Sequence, residues 1–98
     1  MIAAAADSFE IAVIRFNASE AARTVAGLTR TLGEPRVSIG AAAGTPEAAR
    51  ITVAWELTWY QWAVANGERE GPIAELAHGT ELDQLDAPAR QWNAKWRS

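Results

Sequence analysis

Hydrophobic and polar residues alternate through the middle of the chain, from Ile51 to Trp59. Every second position there carries a large apolar side chain, and the positions between are mostly small or polar. This period of two predicts a β-strand with one apolar face. The alternation then slips by one position, because Gln61 falls on the formerly apolar face and Trp62 on the other. A single long strand over residues 50–65, bulged or bent at the slip, accounts for both halves of the pattern.

The same segment has a second interpretation. Ile51 and three of the tryptophans also recur at helical spacing, and Gly67 could end a helix. We favour the strand, because most of these residues are β-branched or aromatic and Asn66-Gly67 resembles a hairpin turn. The returning strand would then run from Pro72 to Ala77.

Two elements precede this segment. Residues 8–16 are rich in strand formers and mostly apolar on both faces, which predicts a buried central strand. A helix follows, in which Asn17 and Glu20 have the spacing of a capping box and apolar residues recur at helical intervals. Gly33 suits the C-terminal cap of this helix, and Pro35 prevents its continuation.

The remaining signals are weaker. Arg36 to Ala42 predicts a further strand, and residues 44–47 predict a turn. Thr80 or Asp86 could cap a final helix, with Pro88 in its first turn. One face of that helix would carry Ala89, Trp92 and Trp96. The order β-α-β-β-β-α predicts an α+β fold, with an antiparallel-rich sheet of about four strands and two helices packed on one face.

Length and composition narrow the class of protein. We expect the 98 residues to form a single domain over 1–98, with residues 1–7 flexible. The absence of cysteine excludes disulfides and thiolate chemistry, and the net charge of −3 disfavours nucleic-acid binding. No stretch approaches the roughly 18 apolar residues of a membrane span. We therefore expect a cytoplasmic protein that binds neither membrane nor nucleic acid and carries no cofactor.

The candidate chemistry is sparse. His78 is the single histidine, and the sequence fixes neither a nucleophile nor an orienting carboxylate beside it. One imidazole without cysteines predicts no metal site. Glu56 could act as an acid or base among aromatic rings, but its strand position favours a solvent-facing side chain. We assign no catalytic residue. The candidate ligand- or partner-binding residues are Trp59, Tyr60, Gln61, Trp62, Trp92, Glu56 and His78.

The sequence favours a non-enzymatic interaction or structural domain, either a homodimer or an accessory subunit with a protein partner. The reason is that a strand from Ile51 to Val64 would leave part of its edge or second face without a partner in the chain. The alternative is a small-molecule-binding domain or small enzyme. Its pocket would lie between sheet and helix and be lined by Trp59, Trp62 and Trp92.

Overall fold

The computed structural model describes residues 1–4, 7–42, 45–67, 71 and 73–97. Over these residues the chain forms six antiparallel strands and two α-helices, which confirms the mixed α+β class and gives two more strands than expected. The strands are β1 (Ile2–Ala4), β2 (Arg36–Ala42), β3 (Thr45–Ala54), β4 (Trp59–Ala65), β5 (Ala74–Gly79) and β6 (Ala94–Trp96). The helices are α1 (Glu10–Asn17) and α2 (Glu20–Leu32). The order across the sheet is β1-β6-β2-β3-β4-β5.

The alternating segment is a hairpin, so the single long strand predicted over residues 50–65 is wrong. Its two halves are β3 and β4, in which Ile51 lies opposite Trp62. The chain reverses at residues 55–58, where the Trp55 N–H donates to the Thr58 carbonyl at 2.8 Å. This reversal explains the slip in the pattern. The choice of strand over helix is confirmed, and the returning strand is observed as β5.

The strand predicted over residues 8–16 is also wrong, because most of this segment is α1. Ala12 and Phe16 lie one helical turn apart and are fully buried, whereas Ile11 and Ile14 are 43% and 61% exposed. The burial therefore follows the helical period and leaves an apolar side in solvent. The residues have strand propensity, but packing on the sheet overrides that weak preference. Asn66 fixes the first turn, since its Oδ1 accepts from the Ala12 N–H at 3.1 Å.

The second helix agrees with the sequence at one end only. Gly33 ends α2 as predicted, with a left-handed φ of +89° and its N–H donating to the Thr29 carbonyl. The predicted start at Asn17 is wrong, because Asn17 ends α1 and α2 begins at Glu20. Its apolar stripe includes Val25, which is fully buried against the sheet.

The helix predicted at the C-terminal end is absent from the described residues. Two short 3-10 turns, Leu82–Gln84 and Ala87–Arg90, are followed by β6. Asp86 caps the second turn as expected, since its carboxylate accepts from the Ala89 N–H at 3.1 Å. Strand β6 then pairs with both β1 and β2, which extends the sheet beyond the predicted four strands.

Each face of the sheet carries its own apolar cluster. Both helices cover one face, which we call the helix face, and the larger cluster lies beneath them. It includes Phe16, Val25, Val37, Ile51, Val53, Trp62 and Val64. The segment of 3-10 turns covers the other face, which we call the turn face, with a cluster of Ala54, Trp59, Leu85 and Ala89. No helix in the described part of the chain is long and apolar enough to cross a membrane.

A bidentate ion pair attaches the turn segment to the sheet. The Arg50 guanidinium on β3 donates to both Asp86 carboxylate oxygens, at 2.7 and 2.9 Å. The hydrogen bond from Arg50 lowers the pKa of the Asp86 carboxyl from its ordinary value, and the Ala89 N–H adds to this effect against an opposing desolvation. The ionised carboxylate is therefore part of the native packing on this face.

Candidate functional site

The two edge strands of the sheet differ in whether their outer backbone N–H and C=O groups have hydrogen-bond partners among the described residues. Strand β1 forms one edge and has three residues. The Asn17 side chain covers it, because its Oδ1 accepts from the Ile2 N–H at 2.8 Å and its Nδ2 donates to the Ile2 carbonyl at 3.0 Å. A side-chain amide thus takes the place of a neighbouring strand. Short length and covered polar groups are two ways in which proteins prevent edge pairing.

Strand β5 forms the other edge and is open. It has six residues, and none of them is fully buried. Leu76 at its centre is 50% exposed, which is unusual for a large apolar side chain beside free backbone groups. Among the described residues, no side chain hydrogen-bonds to the backbone of residues 74–78. Within the described residues, the sheet therefore has one covered edge, β1, and one uncovered edge, β5.

A β-bulge in β5 brings two polar side chains together. His78 pairs with Tyr60 of β4, and Glu75 pairs with Trp62. The two β5 residues are three positions apart in the chain, whereas their β4 partners are two positions apart. Leu76 is the extra residue. Without the bulge, Glu75 and His78 would project from opposite faces of the sheet. With it, both lie on the helix face, and the His78 Nδ1 is 3.3 Å from a Glu75 carboxylate oxygen.

Aromatic rings support this pair from β4. The Tyr60 and Trp62 rings stack with centroids 5.7 Å apart, and the Tyr60 ring lies 5.9 Å from the His78 ring. Beside them is a groove of about 480 Å³ between the start of α2 and the β5 edge. Its polar wall includes Ser19, Glu20, Thr24 and Glu75, and Trp62 and Ile73 supply its apolar wall. Since Trp62 is only 5% exposed, the groove offers little ring surface to a ligand.

The three tryptophans expected to line one pocket are not together. Trp62 faces the helices, whereas Trp59 and Trp92 belong to the cluster on the turn face. Trp59 is 6% exposed, and its Nε1 donates to the Glu81 carbonyl at 2.9 Å. Gln61 is also buried on the turn face, where its amide donates to the Thr52 hydroxyl at 3.1 Å. The predicted pocket between sheet and helix is therefore wrong in its lining.

Trp92 and Glu56 also lie away from the β5 edge. The Arg36 guanidinium lies 4.6 Å from the centroid of the Trp92 ring, in a cation–π contact. Trp92 has a left-handed φ of +48°, which costs about 1–2 kcal/mol for a non-glycine residue. A hydrogen bond of 2.8 Å from its N–H to the Ser38 hydroxyl helps to hold this conformation. Glu56 is exposed in the reversal between β3 and β4, so its side chain is not held among aromatic rings.

Both hydroxyl groups in the lining of the groove donate to backbone carbonyls of their own helical segments: Ser19 to Phe16 at 2.6 Å and Thr24 to Glu20 at 3.2 Å. The described residues contain no group of three or more His, Asp or Glu side chains that could hold a metal ion. Comparison of the chain with protein-family models, curated proteins and solved structures finds no match.

Proposed function

We propose that this chain is a non-enzymatic protein-interaction domain that acts as a homodimer, with two copies joined antiparallel along β5. The observation that carries the proposal is the difference between the edges. Asn17 covers β1, whereas the outer edge of the six-residue strand β5 has no hydrogen-bond partner among the described residues and carries the half-exposed Leu76. Open edges of this kind pair readily with another strand, and a second copy provides an identical one.

The small-molecule alternative has less support. Trp59 and Trp62 are nearly buried and lie on opposite faces of the sheet. Their rings contribute to the two clusters, and that burial stabilises a chain of this length. The β5 edge offers backbone groups, the Leu76 side chain and the exposed Glu75–His78 pair, a combination that suits a pairing strand better than a small ligand.

Sedimentation of the purified chain tests the proposal. Pairing of one strand buries less than a standard interface of about 1,600 Å², so we expect micromolar association, visible between about 5 and 500 µM. Leu76→Lys places a charge at the centre of the edge and should shift the chain toward monomer. Leu57→Lys is the matched control, because Leu57 is 73% exposed but lies in the reversal between β3 and β4.

Two results would contradict the proposal. One is a wild-type chain that stays monomeric over the whole concentration range. The other is an equal weakening of association by Leu76→Lys and Leu57→Lys, which would place the interface elsewhere. Far-UV circular dichroism of both variants should match the wild type, because neither side chain is buried.

A further inference from the structure

Resting on the proposed homodimer, we infer that its two copies meet in one register, in which Glu75 of each copy faces His78 of the partner subunit. The inference comes from the bulge at Leu76 and from the charges on either side of it.

The first step concerns the faces of the sheet. Residues opposite each other in an antiparallel pair project on the same face, and a two-fold axis normal to a continuous sheet keeps every side chain on its own face. A residue of β5 can therefore face only a partner residue from the same face. Glu75 and His78 lie on the helix face, opposite Trp62 and Tyr60. Ala74, Ala77 and Gly79 lie on the turn face. Leu76 is the extra residue and has no partner on β4; because two residues of a bulge lie opposite one residue of the neighbouring strand, we place Leu76 beside Ala77 on the turn face.

The second step compares the possible registers. If the two-fold axis passes between Leu76 and Ala77, each of the six residues of β5 faces a partner residue from the same face of the sheet. Glu75 then faces the partner's His78, and Leu76 faces the partner's Ala77. Axes through Leu76 or Ala77 themselves pair residues from opposite faces and are excluded. If the two-fold axis passes beside Glu75 or His78, only a few residues face a partner residue from the same face of the sheet, and the residue at the axis faces its own copy. One register therefore combines full strand pairing with charge complementarity.

The polar groups beside the edge support this register. His78 faces its own Glu75 and the Tyr60 ring of β4, and Glu20 of α2 lies across the adjacent groove. In the dimer, the Glu75 carboxylate of the partner subunit would join this set, and an imidazole N–H can donate to it. Two such contacts, related by the two-fold axis, favour this register over one that places identical groups together.

A charge-exchange experiment tests the register directly. Glu75→Lys places a cation opposite the partner's His78, and His78→Glu places two carboxylates opposite each other. Each variant alone should dimerise more weakly than the wild type. An equimolar mixture should form a heterodimer, because Lys and Glu then face each other at one pair and Glu75 faces His78 at the other. Glu56→Lys is the control for a changed net charge, since Glu56 is exposed away from the edge.

The size of the effect follows from two symmetry-related pairs. Cross-strand charge pairs of this kind correspond to a change of about 2- to 30-fold in the dissociation constant when both are altered. We expect the mixture to recover a factor in this range over either variant.

The outcomes separate this inference from the proposed function. A wild-type chain that stays monomeric contradicts the homodimer itself. A wild-type chain that dimerises, together with a mixture of Glu75→Lys and His78→Glu that associates no more tightly than either variant alone, would overturn the register and leave the homodimer standing. Both side chains are exposed, so folding is retained and each variant can be measured.

Discussion

Asn93 provides a stringent test of how the turn segment is attached to the sheet. It precedes β6, and its side-chain amide makes two hydrogen bonds to Ile39 of β2: the Oδ1 accepts from the backbone N–H and the Nδ2 donates to the carbonyl, both at 2.8 Å. Lys95 and Ala94 of β6 pair with Arg36 and Val37 of β2, and the Asn93 side chain continues this ladder by bonding to Ile39. We predict that Asn93→Ala destabilises the fold through the loss of both bonds.

The magnitude follows from the number and the exposure of these bonds. A neutral hydrogen bond contributes about 0.5–1.5 kcal/mol net, so two give about 1–3 kcal/mol. Asn93 itself is exposed, and water replaces part of the loss, whereas Ile39 is only 3% exposed. We therefore expect about 1–2 kcal/mol, against a total of about 5–15 kcal/mol for a small domain. At about 4–8 °C per kcal/mol, the melting temperature should fall by about 4–16 °C.

Urea unfolding followed by tryptophan fluorescence measures this change in free energy. Gln91→Ala is the matched control, because its amide makes one long bond of 3.3 Å to the Ala87 carbonyl, and its loss should cost less than about 0.5 kcal/mol. Asn93→Asp keeps the acceptor for the Ile39 N–H but removes the donor, so it should also be less stable than the wild type. If Asn93→Ala lost no more than Gln91→Ala, the amide would not be part of the ladder and the reasoning would be refuted.

Two further predictions concern glycine packing and pH. Gly79→Ala should destabilise the fold by about 1–3 kcal/mol, because a Cβ there would lie 2.6 Å from Cζ2 of the buried Trp59 ring; Gly40→Ala has open space and should be neutral or stabilising in the same melts, and equal effects would contradict the packing. The lowered pKa of Asp86 implies stability that is present above its ordinary titration range and lost as the pH falls below it. This loss of stability should be at most about 1 kcal/mol, because the Asp86 side chain is 56% exposed. Urea unfolding between about pH 5 and 2.5 measures it, and Asp86→Asn should lose less free energy of unfolding over this range than the wild type.

The elements that the sequence predicted correctly have clear local punctuation. Gly33 and Pro35 delimit the end of α2. Asp86 is a cap, but of the short 3-10 turn Ala87–Arg90 and not of the α-helix that the sequence predicted there. The reversal at residues 55–58 was missed because it contains none of the glycine, proline or asparagine residues that usually signal a turn. Strands β1 and β6 have only three residues each, which is too short for any period to be read.

The candidate site was predictable only in part. Tyr60 and His78 were among the expected residues, and both lie on the helix face beside the β5 edge. Glu75 was missed as a partner of His78, because a spacing of three in a regular strand places two side chains on opposite faces. The bulge reverses that relation, and no turn residue or break in the pattern announces it. Asn17 was interpreted as a helix cap, which is the commonest role of asparagine beside a helix.

The amide of Asn17 has a consequence for the size of any assembly. A sheet with two free edges could accept a neighbour on each side, and copies would then add without limit into a fibre. In the described part of the sheet, Asn17 occupies both backbone groups of Ile2, so β5 is left as the edge that can accept another strand. If two copies pair along β5 as proposed, that edge is used in both of them. The Asn17 side chain, at the opposite end of the sheet, would then limit the proposed assembly to two copies instead of an open-ended polymer.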